Sequence, residues 1–434
     1  MKLDRDKLYP WLAMLRAKHM GSSRAIKLEK HFGSIRAALE ASAAAIAAVP
    51  GFREEIGLAI RQAAQGEFDR EIDKELTWAE REGVSILLYS DPEYPHPLRH
   101  IPATPALLYV KGKLLPQDIL AFGIVGSRHA TDGGRRMAGK IACELAEAGL
   151  TIVSGLAWGI DASAHKGALR AKEGRTLAVM GNGLKFVYPR EHTLLAEQIV
   201  NRGALISELF YDVAPQGRNF PPRNRIISGL SLGVLVAEAP ERSGALITAD
   251  YALEQGKEIF ALPGDVERGI SIGTNKLIQE SRATLVTSAT DILRELADKI
   301  IFYNNELQGK IPRVDLGPEI WEAAREKRSR EAAPLRPAAS SHGMEGTPGE
   351  SKPAKPAGLS PAPQKPAAPP PPAASLDGDE QAIFSALTIE ARHIDDICRE
   401  LNWPAARVSS ALGLLELKGL IERRSGMRFK RMDE

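Results

Sequence analysis

Apolar residues recur along this chain with two different periods, and the places where the period changes divide it. In residues 1–80, Tyr9, Leu12 and Leu15, then Ile26, Leu28, Phe32, Ile35 and Leu39, recur at helical spacing. The run Ile46-Ala47-Ala48-Val49-Pro50-Gly51-Phe52 interrupts that spacing before Ile56 and Ile60 resume it, as a turn between two helices does. A small helical domain, SAM-like or helix-hairpin-helix-like, is expected, its Pro50-Gly51 turn being either a phosphate-holding hairpin or a plain connection. Residues 81–114 hold Pro92, Pro95, Pro97, Pro102 and Pro105 with one alternating segment at 107–110, and read as a connector packed on the next domain.

From 115 to 300 the pattern changes. Short apolar runs at 119–125, 151–153, 176–180, 204–206, 234–237, 259–262 and 284–286 are each followed by a helical stretch. Continuous β-branched runs flanked by helices predict an α/β, Rossmann-like parallel sheet with helices on both faces. Residues 301–376 read as a linker, because the Pro/Ala/Ser/Gly stretches from 332 to 375 cannot bury enough apolar surface to offset their ordering entropy. In 377–434, helical patterns at 381–387, 394–401 and 405–417 precede a terminal hairpin, the plan of a winged helix. Residues 405–417 would be its recognition helix and 423–430 its wing.

Composition narrows the class. The 44% hydrophobic and 26% charged fractions are those of a globular protein, and no apolar run nears the ~20 residues that cross a bilayer. The start, Met1-Lys2-Leu3-Asp4-Arg5-Asp6, lacks the apolar stretch of a signal peptide, so a cytoplasmic protein without membrane contact is expected. Cys143 and Cys398 fall in separate domains and suit neither a disulfide nor a thiolate metal site; no cofactor or metal is expected. With 57 Lys plus Arg against 55 Asp plus Glu, any nucleic-acid surface has to be local. The stretch from Asp377 to Glu434 carries 9 basic and 11 acidic residues, so its winged helix suits protein contact as well as weak duplex binding.

In an open parallel sheet, ligands bind outside the carboxyl ends of the strands. Those ends read Gly126-Ser127-Arg128, Ser154-Gly155-Leu156-Ala157, Gly181-Asn182-Gly183-Leu184-Lys185, Ser207-Glu208, the loop 239–244 with Ser243-Gly244, and Pro263-Gly264. Glycine lets backbone amides approach an anion, and each following helix offers unpaired N–H groups and a positive dipole end. A dinucleotide site needs Gly-x-Gly-x-x-Gly after the first strand and an acid ending the second. Gly126-Ser127-Arg128-His129 and Ser154 stand there instead, which disfavours NAD. Gly134 with Gly139-Lys140 has Walker spacing, but Ile141 replaces the magnesium-binding hydroxyl and the segment continues a helix.

What the loops supply is cationic: Arg128, Lys185 and Arg190, then Arg218, Arg223 and Arg225 in an acid-free stretch from Val213 to Ala237. Phe186, Tyr188 and Phe220 interleave with these cations and suit stacking on bases, the way single strands are held without reading sequence. Tyr188 serves equally as core filler. Asp161 and His165, four apart on one helix, form either an acid–base pair or, more commonly, a helix cap and a packed histidine. Glu208 and Glu238 close apolar strands and suit catalysis, yet no nucleophile or metal cluster accompanies them, so no catalytic residue is assigned. Single-strand binding without catalysis is the leading expectation. The alternative is a nucleotide-phosphate or glycosyl hydrolase using Glu208 or Glu238; a transcription regulator acting through the winged helix would leave the glycine loops without a task.

At these residues the chain resembles the DNA-processing protein A (DprA/Smf) family of single-stranded-DNA-binding recombination mediators. The resemblance is carried by Gly126-Ser127-Arg128, Ser154-Gly155-Leu156-Ala157-Trp158-Gly159-Ile160-Asp161 with Ala164-His165, Gly181-Asn182-Gly183 with Tyr188-Pro189, Asn219-Phe220-Pro221-Pro222-Arg223-Asn224-Arg225, Ser243-Gly244-Ala245-Leu246-Ile247-Thr248, and Pro263-Gly264 with Gly273-Thr274-Asn275. It implies a homodimer whose basic pocket binds single-stranded DNA, loads RecA recombinase onto it, and protects incoming strands during natural transformation, without catalysis. Carried over by position, Arg128 clamps a phosphate, Lys185 lines the pocket and Tyr188 stacks a base. The expected binding set is completed by Gly126, Ser127, Ser154, Gly155, Gly181, Gly183, Phe186, Arg190, Asn219, Arg223, Asn224, Arg225, Ser243 and Gly244. Lys185 replaces an Asp common in the family, His192 a frequent Asn, and Ser281-Arg282 a usual Gly-Ala.

Overall fold

The computed structural model describes residues 2–332, 378–388, 390–401, 403, 407–408, 411–413, 415, 420–424 and 428–431. It divides into two units, Met1–Arg325 and Glu326–Glu434. The first unit opens with α1 (Arg5–Arg16), α2 (Ser22–Phe32), α3 (Ile35–Glu40), α4 (Ala43–Ala47), α5 (Glu54–Ala64) and α6 (Asp69–Glu82). Asp4, Ser34 and Ser42 cap α1, α3 and α4 by accepting from backbone amides three residues on, satisfying donors that a helix start leaves open. Between α4 and α5, Gly51 takes a φ of +87°, as the turn at Pro50 requires. Lys27 Nζ donates to the Pro50 carbonyl at 2.7 Å, so a cation of the chain itself occupies this turn.

A nine-stranded sheet follows: β1 (Val84–Leu88), β2 (Leu107–Gly112), β3 (Ala121–Val125), β4 (Thr151–Ser154), β5 (Thr176–Val179), β6 (Gly203–Ser207), β7 (Gly233–Val236), β8 (Glu258–Ala261) and β9 (Thr284–Leu285). Its order is β1-β2-β6-β5-β4-β3-β7-β8-β9. From β6 to β9 all pairings are parallel, and the strands are wholly buried up to β7, so their sequences are continuous apolar runs. Residues 81–114 are not a connector laid on the core. They add β1 and β2 to the sheet edge, antiparallel, with Tyr109 opposite Ser207 of β6.

The interstrand helices are α7 (Asp132–Glu147), α8 (Ile160–Arg170), α9 (Thr193–Arg202), α10 (Phe220–Leu230), α11 (Gly244–Glu254) and α12 (Ile272–Gln279), with α13 (Ala289–Glu306) after β9. One face packs Ile141, Leu145 and Ile160 against Phe122, Phe260 and Ile292. On the other face Ile226, Ile227 and Ala249 lie over Val125, Val153 and Val234. The helical layer joins the core through Tyr109, Met180 and Leu195, and buried Glu75 of α6 accepts from the Tyr211 amide at 3.0 Å and from Arg16 at 2.5 Å.

The linker does not begin at residue 301. The second half of α13 and α14 (Gly317–Ala332) are helical, and Ile301, Val314, Leu316, Ile320 and Ala324 join the core beneath α7. Residues 333–376, the proline-rich part, lie outside the described residues. In the second unit, α15 (Gly378–Ala386) and α16 (Ile394–Leu401) precede a small sheet of β10 (Arg392–His393), β11 (Ile421–Arg424) and β12 (Arg428–Arg431), in the order β10-β12-β11. Ile383, Ile397, Leu412, Leu415 and Phe429 form its core, the arrangement of a winged helix. Much of the expected recognition helix at 405–417, and the wing tip at 425–427, lie outside the described residues.

Candidate nucleic-acid interface

Strand order reverses between β3 and β7: β3 to β6 are laid down to one side, and β7 to β9 to the other. Loops leaving adjacent strands diverge at such a point and leave a crevice. Here the crevice is a pocket of about 460 Å³ lined by Gly126, Ser127, Arg128, Tyr188, Phe220, Arg223, Asn224, Arg242, Ser243 and Gly244, among others.

The first loop is tied on three sides. The Ser127 amide donates to the Glu238 carbonyl at 2.7 Å, the Ile160 amide donates to the Ser127 carbonyl at 3.2 Å, and the His129 amide donates to Ser127 Oγ at 3.1 Å. A Cβ on Gly126 would meet Ile160 at 2.5 Å, so this glycine answers the approach of α8. Arg128 is left exposed. Its guanidinium sits 5.3 Å from the centroid of the Phe220 ring, within cation–π range. Among the described residues it has no carboxylate partner, and its backbone amide has no acceptor there either.

Across the pocket, Tyr188 is 41% exposed and its ring lies 5.7 Å from that of Phe220 at 37°. Two rings inclined so form a surface on which a flat base can lie. Arg242, exposed and unpaired among the described residues, precedes Ser243, whose Oγ caps α11 by accepting from the Ala245 amide at 3.2 Å. Gly244 begins α11 at the pocket with open space where a Cβ would stand, so the positive end of that helix is accessible.

The floor is polar and locked. Arg223, 5% exposed, donates to the Gly155 carbonyl at 3.0 Å and also to the Val179 carbonyl, pinning the ends of β4 and β5 together. Burial brings its pKa down to about 10, against the support of Asp161 nearby, so the group stays charged at neutral pH. Asp161 accepts from the Gly155 and Ala157 amides at 3.2 and 3.4 Å, and burial pushes its pKa up. His165 is buried against Thr176 Oγ1 at 2.7 Å, and burial brings it down to about 3. The two do not form an exposed acid–base pair: Asp161 holds the loop after β4, and His165 ties α8 to β5.

Residues 85–297 match the family model described as DNA recombination-mediator protein A, and residues 367–427 match the DprA winged helix domain. A Synechocystis protein called Protein Smf is 33% identical over 425 residues, which is 97% of this chain and 98% of that protein. The chain belongs to the DprA/Smf family. The Bacillus subtilis DNA processing protein DprA is 39% identical over 252 residues, 58% of this chain and 84% of its own length. The X-ray structure of DprA from Streptococcus pneumoniae matches with a TM-score of 0.58 and 35% identity, over 68% of this chain and 99% of that one.

In this DprA/Smf chain the expected binding residues do not all meet. Gly126, Ser127, Arg128, Tyr188, Arg223, Asn224, Ser243 and Gly244 line the pocket. Arg225 does not. It is buried in a two-bond ion pair with Glu208, at 2.8 and 2.5 Å, and donates to the Ala103 carbonyl at 3.1 Å. Ser154 Oγ is buried and donates to the Ile124 carbonyl at 2.6 Å. Gly155, Gly181 and Gly183 are packing glycines: a Cβ there would meet Arg223, the Phe220 ring and the Phe210–Tyr211 carbonyls respectively. Arg190 is exposed and Asn219 half-buried, both outside the pocket, while Lys185 lines a separate cleft and Phe186 stands beside it. Glu208 is committed to Arg225, and Glu238 accepts from the Thr131 amide at 2.8 Å and hydroxyl at 2.5 Å at the start of α7. Ser281 takes a φ of +55°, the region that favours glycine, and Arg282 pairs with Asp250.

Two further residues stand outside the expected binding set: Arg242, which lines the pocket, and Trp158, which does not. Trp158 is 46% exposed, and its ring lies 4.5 Å from that of His192, whose Nδ1 donates to the Leu156 carbonyl at 2.8 Å. The available signals were a cation beside the Ser243 cap and a large aromatic inside a glycine-rich loop. Among the described residues, no helix is long and apolar enough to cross a membrane, and no group of three or more His, Cys, Asp or Glu is placed to hold a metal ion.

Proposed function

We propose that this DprA/Smf protein binds single-stranded DNA in the switch-point pocket. The observation that carries the reading is Arg128, a guanidinium without a carboxylate partner among the described residues, standing beside the Tyr188–Phe220 pair. Arg128 and Arg242 would neutralise consecutive phosphates, the open start of α11 would add amide donors, and the two rings would carry a base. Such contacts recognise any exposed base and leave duplex, with its bases stacked inside, without a platform.

Catalysis is not part of the proposal, because Glu208 and Glu238 are engaged in holding Arg225 and the start of α7. Its wider terms are action as a cytoplasmic homodimer, loading of RecA recombinase, and protection of incoming DNA during natural transformation. These rest on membership in a family of recombination mediators.

Anisotropy titration of a labelled oligo-dT against a duplex of equal length tests the binding step. The strand is expected to bind at least about tenfold more tightly, a difference of about 1.4 kcal/mol. Equal binding, or nucleotide turnover abolished by Glu208→Gln or Glu238→Gln, would overturn it in favour of a hydrolase. RecA ATPase activity on strands precoated with single-strand-binding protein tests loading: an earlier onset is expected, and an unchanged onset removes that step alone.

A further inference from the structure

Beyond the loop that carries Tyr188 lies a second cleft, of about 730 Å³, between α6 and the loop 181–189. Val187 lines it while the adjacent Tyr188 lines the switch-point pocket, so one short ridge of chain separates the two. α6 presents Lys74, Trp78 and Arg81 to the cleft, spaced four and then three apart and so on one helical face. The opposite wall supplies Lys111, Lys185 and Tyr211.

The charges there are unequal. Glu82 is shared between Lys111 at 3.2 Å and Arg81 at 3.3 Å, and Asp73 is taken by Arg5 at 3.1 Å. Lys74 and Lys185 have no carboxylate partner among the described residues. The buried Trp78 ring backs the half-buried Tyr211 ring at 5.0 Å and 37°, and Lys185 Nζ stands 5.7 Å from the Tyr211 centroid. Surplus cations beside a paired aromatic floor match a ligand that is anionic along its backbone and flat in its side groups. A carboxylate-rich peptide would use the cations and leave the rings idle.

We propose that this cleft is a second single-strand subsite, continuous with the first across the Val187–Tyr188 ridge, so that the N-terminal helical domain grips the strand through α6. The proposal rests on strand binding at the switch-point pocket. It moves the helical domain's DNA contact from the Pro50-Gly51 turn, which Lys27 engages, to Lys74 and Arg81.

The test uses the full-length protein, oligo-dT of increasing length, and the double variant Lys74→Gln/Arg81→Gln, whose side chains are exposed and whose thermal melting checks the fold. Wild-type affinity should rise with length in two steps. The double variant should keep the first and lose the second, with the salt slope on long strands smaller by roughly 1.4 for two lost phosphate contacts. Photocrosslinking of 5-iodouracil strands should label peptides containing Trp78 or Tyr211.

Unchanged affinity and slope at every length, with crosslinks absent from those peptides, would overturn the subsite. So would unchanged strand binding alongside lost binding of polyglutamate, which would make the cleft a seat for acidic protein. Should Arg128→Ala leave the shortest strands bound as before, the first pocket fails instead.

Discussion

Replacing Glu208 by alanine leaves Arg225 buried without its counter-charge. Arg225 is 8% exposed, and its two terminal nitrogens meet the two Glu208 oxygens at 2.8 and 2.5 Å. Removing one partner of a buried pair costs about 3–5 kcal/mol, because the remaining charge keeps its desolvation without compensation. Arg225 retains the carbonyls of Ala103 and Pro222 at 3.1 and 3.2 Å, which solvate the guanidinium but do not neutralise it. The expected loss is therefore at the lower end, about 3 kcal/mol. Urea unfolding of the first unit, followed by far-ultraviolet circular dichroism, reads it. The double replacement Glu208→Leu/Arg225→Met should recover stability to within about 1 kcal/mol of wild type, since apolar pairs commonly substitute for buried ion pairs. Folded Glu208→Ala should bind oligo-dT normally, because neither residue lines the pocket. A loss below about 1 kcal/mol, accompanied by weakened DNA binding, would refute the reasoning and return Glu208 to the site.

Tyr188→Ala should weaken oligo-dT binding by about 1–3 kcal/mol while Tyr188→Phe binds as wild type, a contrast that anisotropy separates; equal effects would mean the hydroxyl, not the ring, is used. Gly159 has a φ of +76° and no room for a Cβ beside the Ser127 carbonyl, so Gly159→Ala should cost at least about 1 kcal/mol and weaken binding by displacing Ser127 and Arg128; unchanged melting and affinity would contradict this. Burial keeps His165 neutral in the folded state, with a pKa near 3, whereas the unfolded chain takes up that proton near pH 6.5. Its contribution is complete above pH 6.5 and lost as pH falls toward 3, about 2 kcal/mol between pH 7 and pH 5. Urea unfolding at both pH values should show this drop in wild type and a smaller one in His165→Gln; equal drops would exclude His165 as the source.

The parallel strands were legible because strands buried on both faces carry uninterrupted apolar runs, and the runs at 119–125, 151–153 and 176–180 fall on β3, β4 and β5. The edge was not. β1 and β2 are separated by a proline-rich loop, and β2 pairs with β6 about a hundred residues on, a partnership that no local pattern records. The helices after residue 301 were read as linker because few apolar residues mark them; Ile301, Ile320 and Ala324 find their partners beneath α7 only in the folded unit.

At the site, the acid-free run from 213 to 237 pointed to three unopposed arginines. Arg225 nevertheless pairs with Glu208, which lies just outside that run and reaches it through the fold. Gly126 and Gly181 read as phosphate-cradling glycines, yet α8 and the Phe220 ring occupy the space a side chain would need. Glycine spacing alone does not separate close packing from ligand approach. What was legible of Arg128 is its place: a cation directly after a strand end at the switch point lines the pocket, and it stands without a carboxylate partner among the described residues.

The most direct measurement is the salt dependence of oligo-dT binding by wild type and Arg128→Ala. Each phosphate neutralised on a single strand contributes about −0.7 to the slope of log K against log salt concentration. If Arg128 holds a phosphate, the variant binds more weakly at every salt concentration and its slope is shallower by about 0.7. An unchanged slope with unchanged affinity would place the strand elsewhere and contradict the pocket at the switch point.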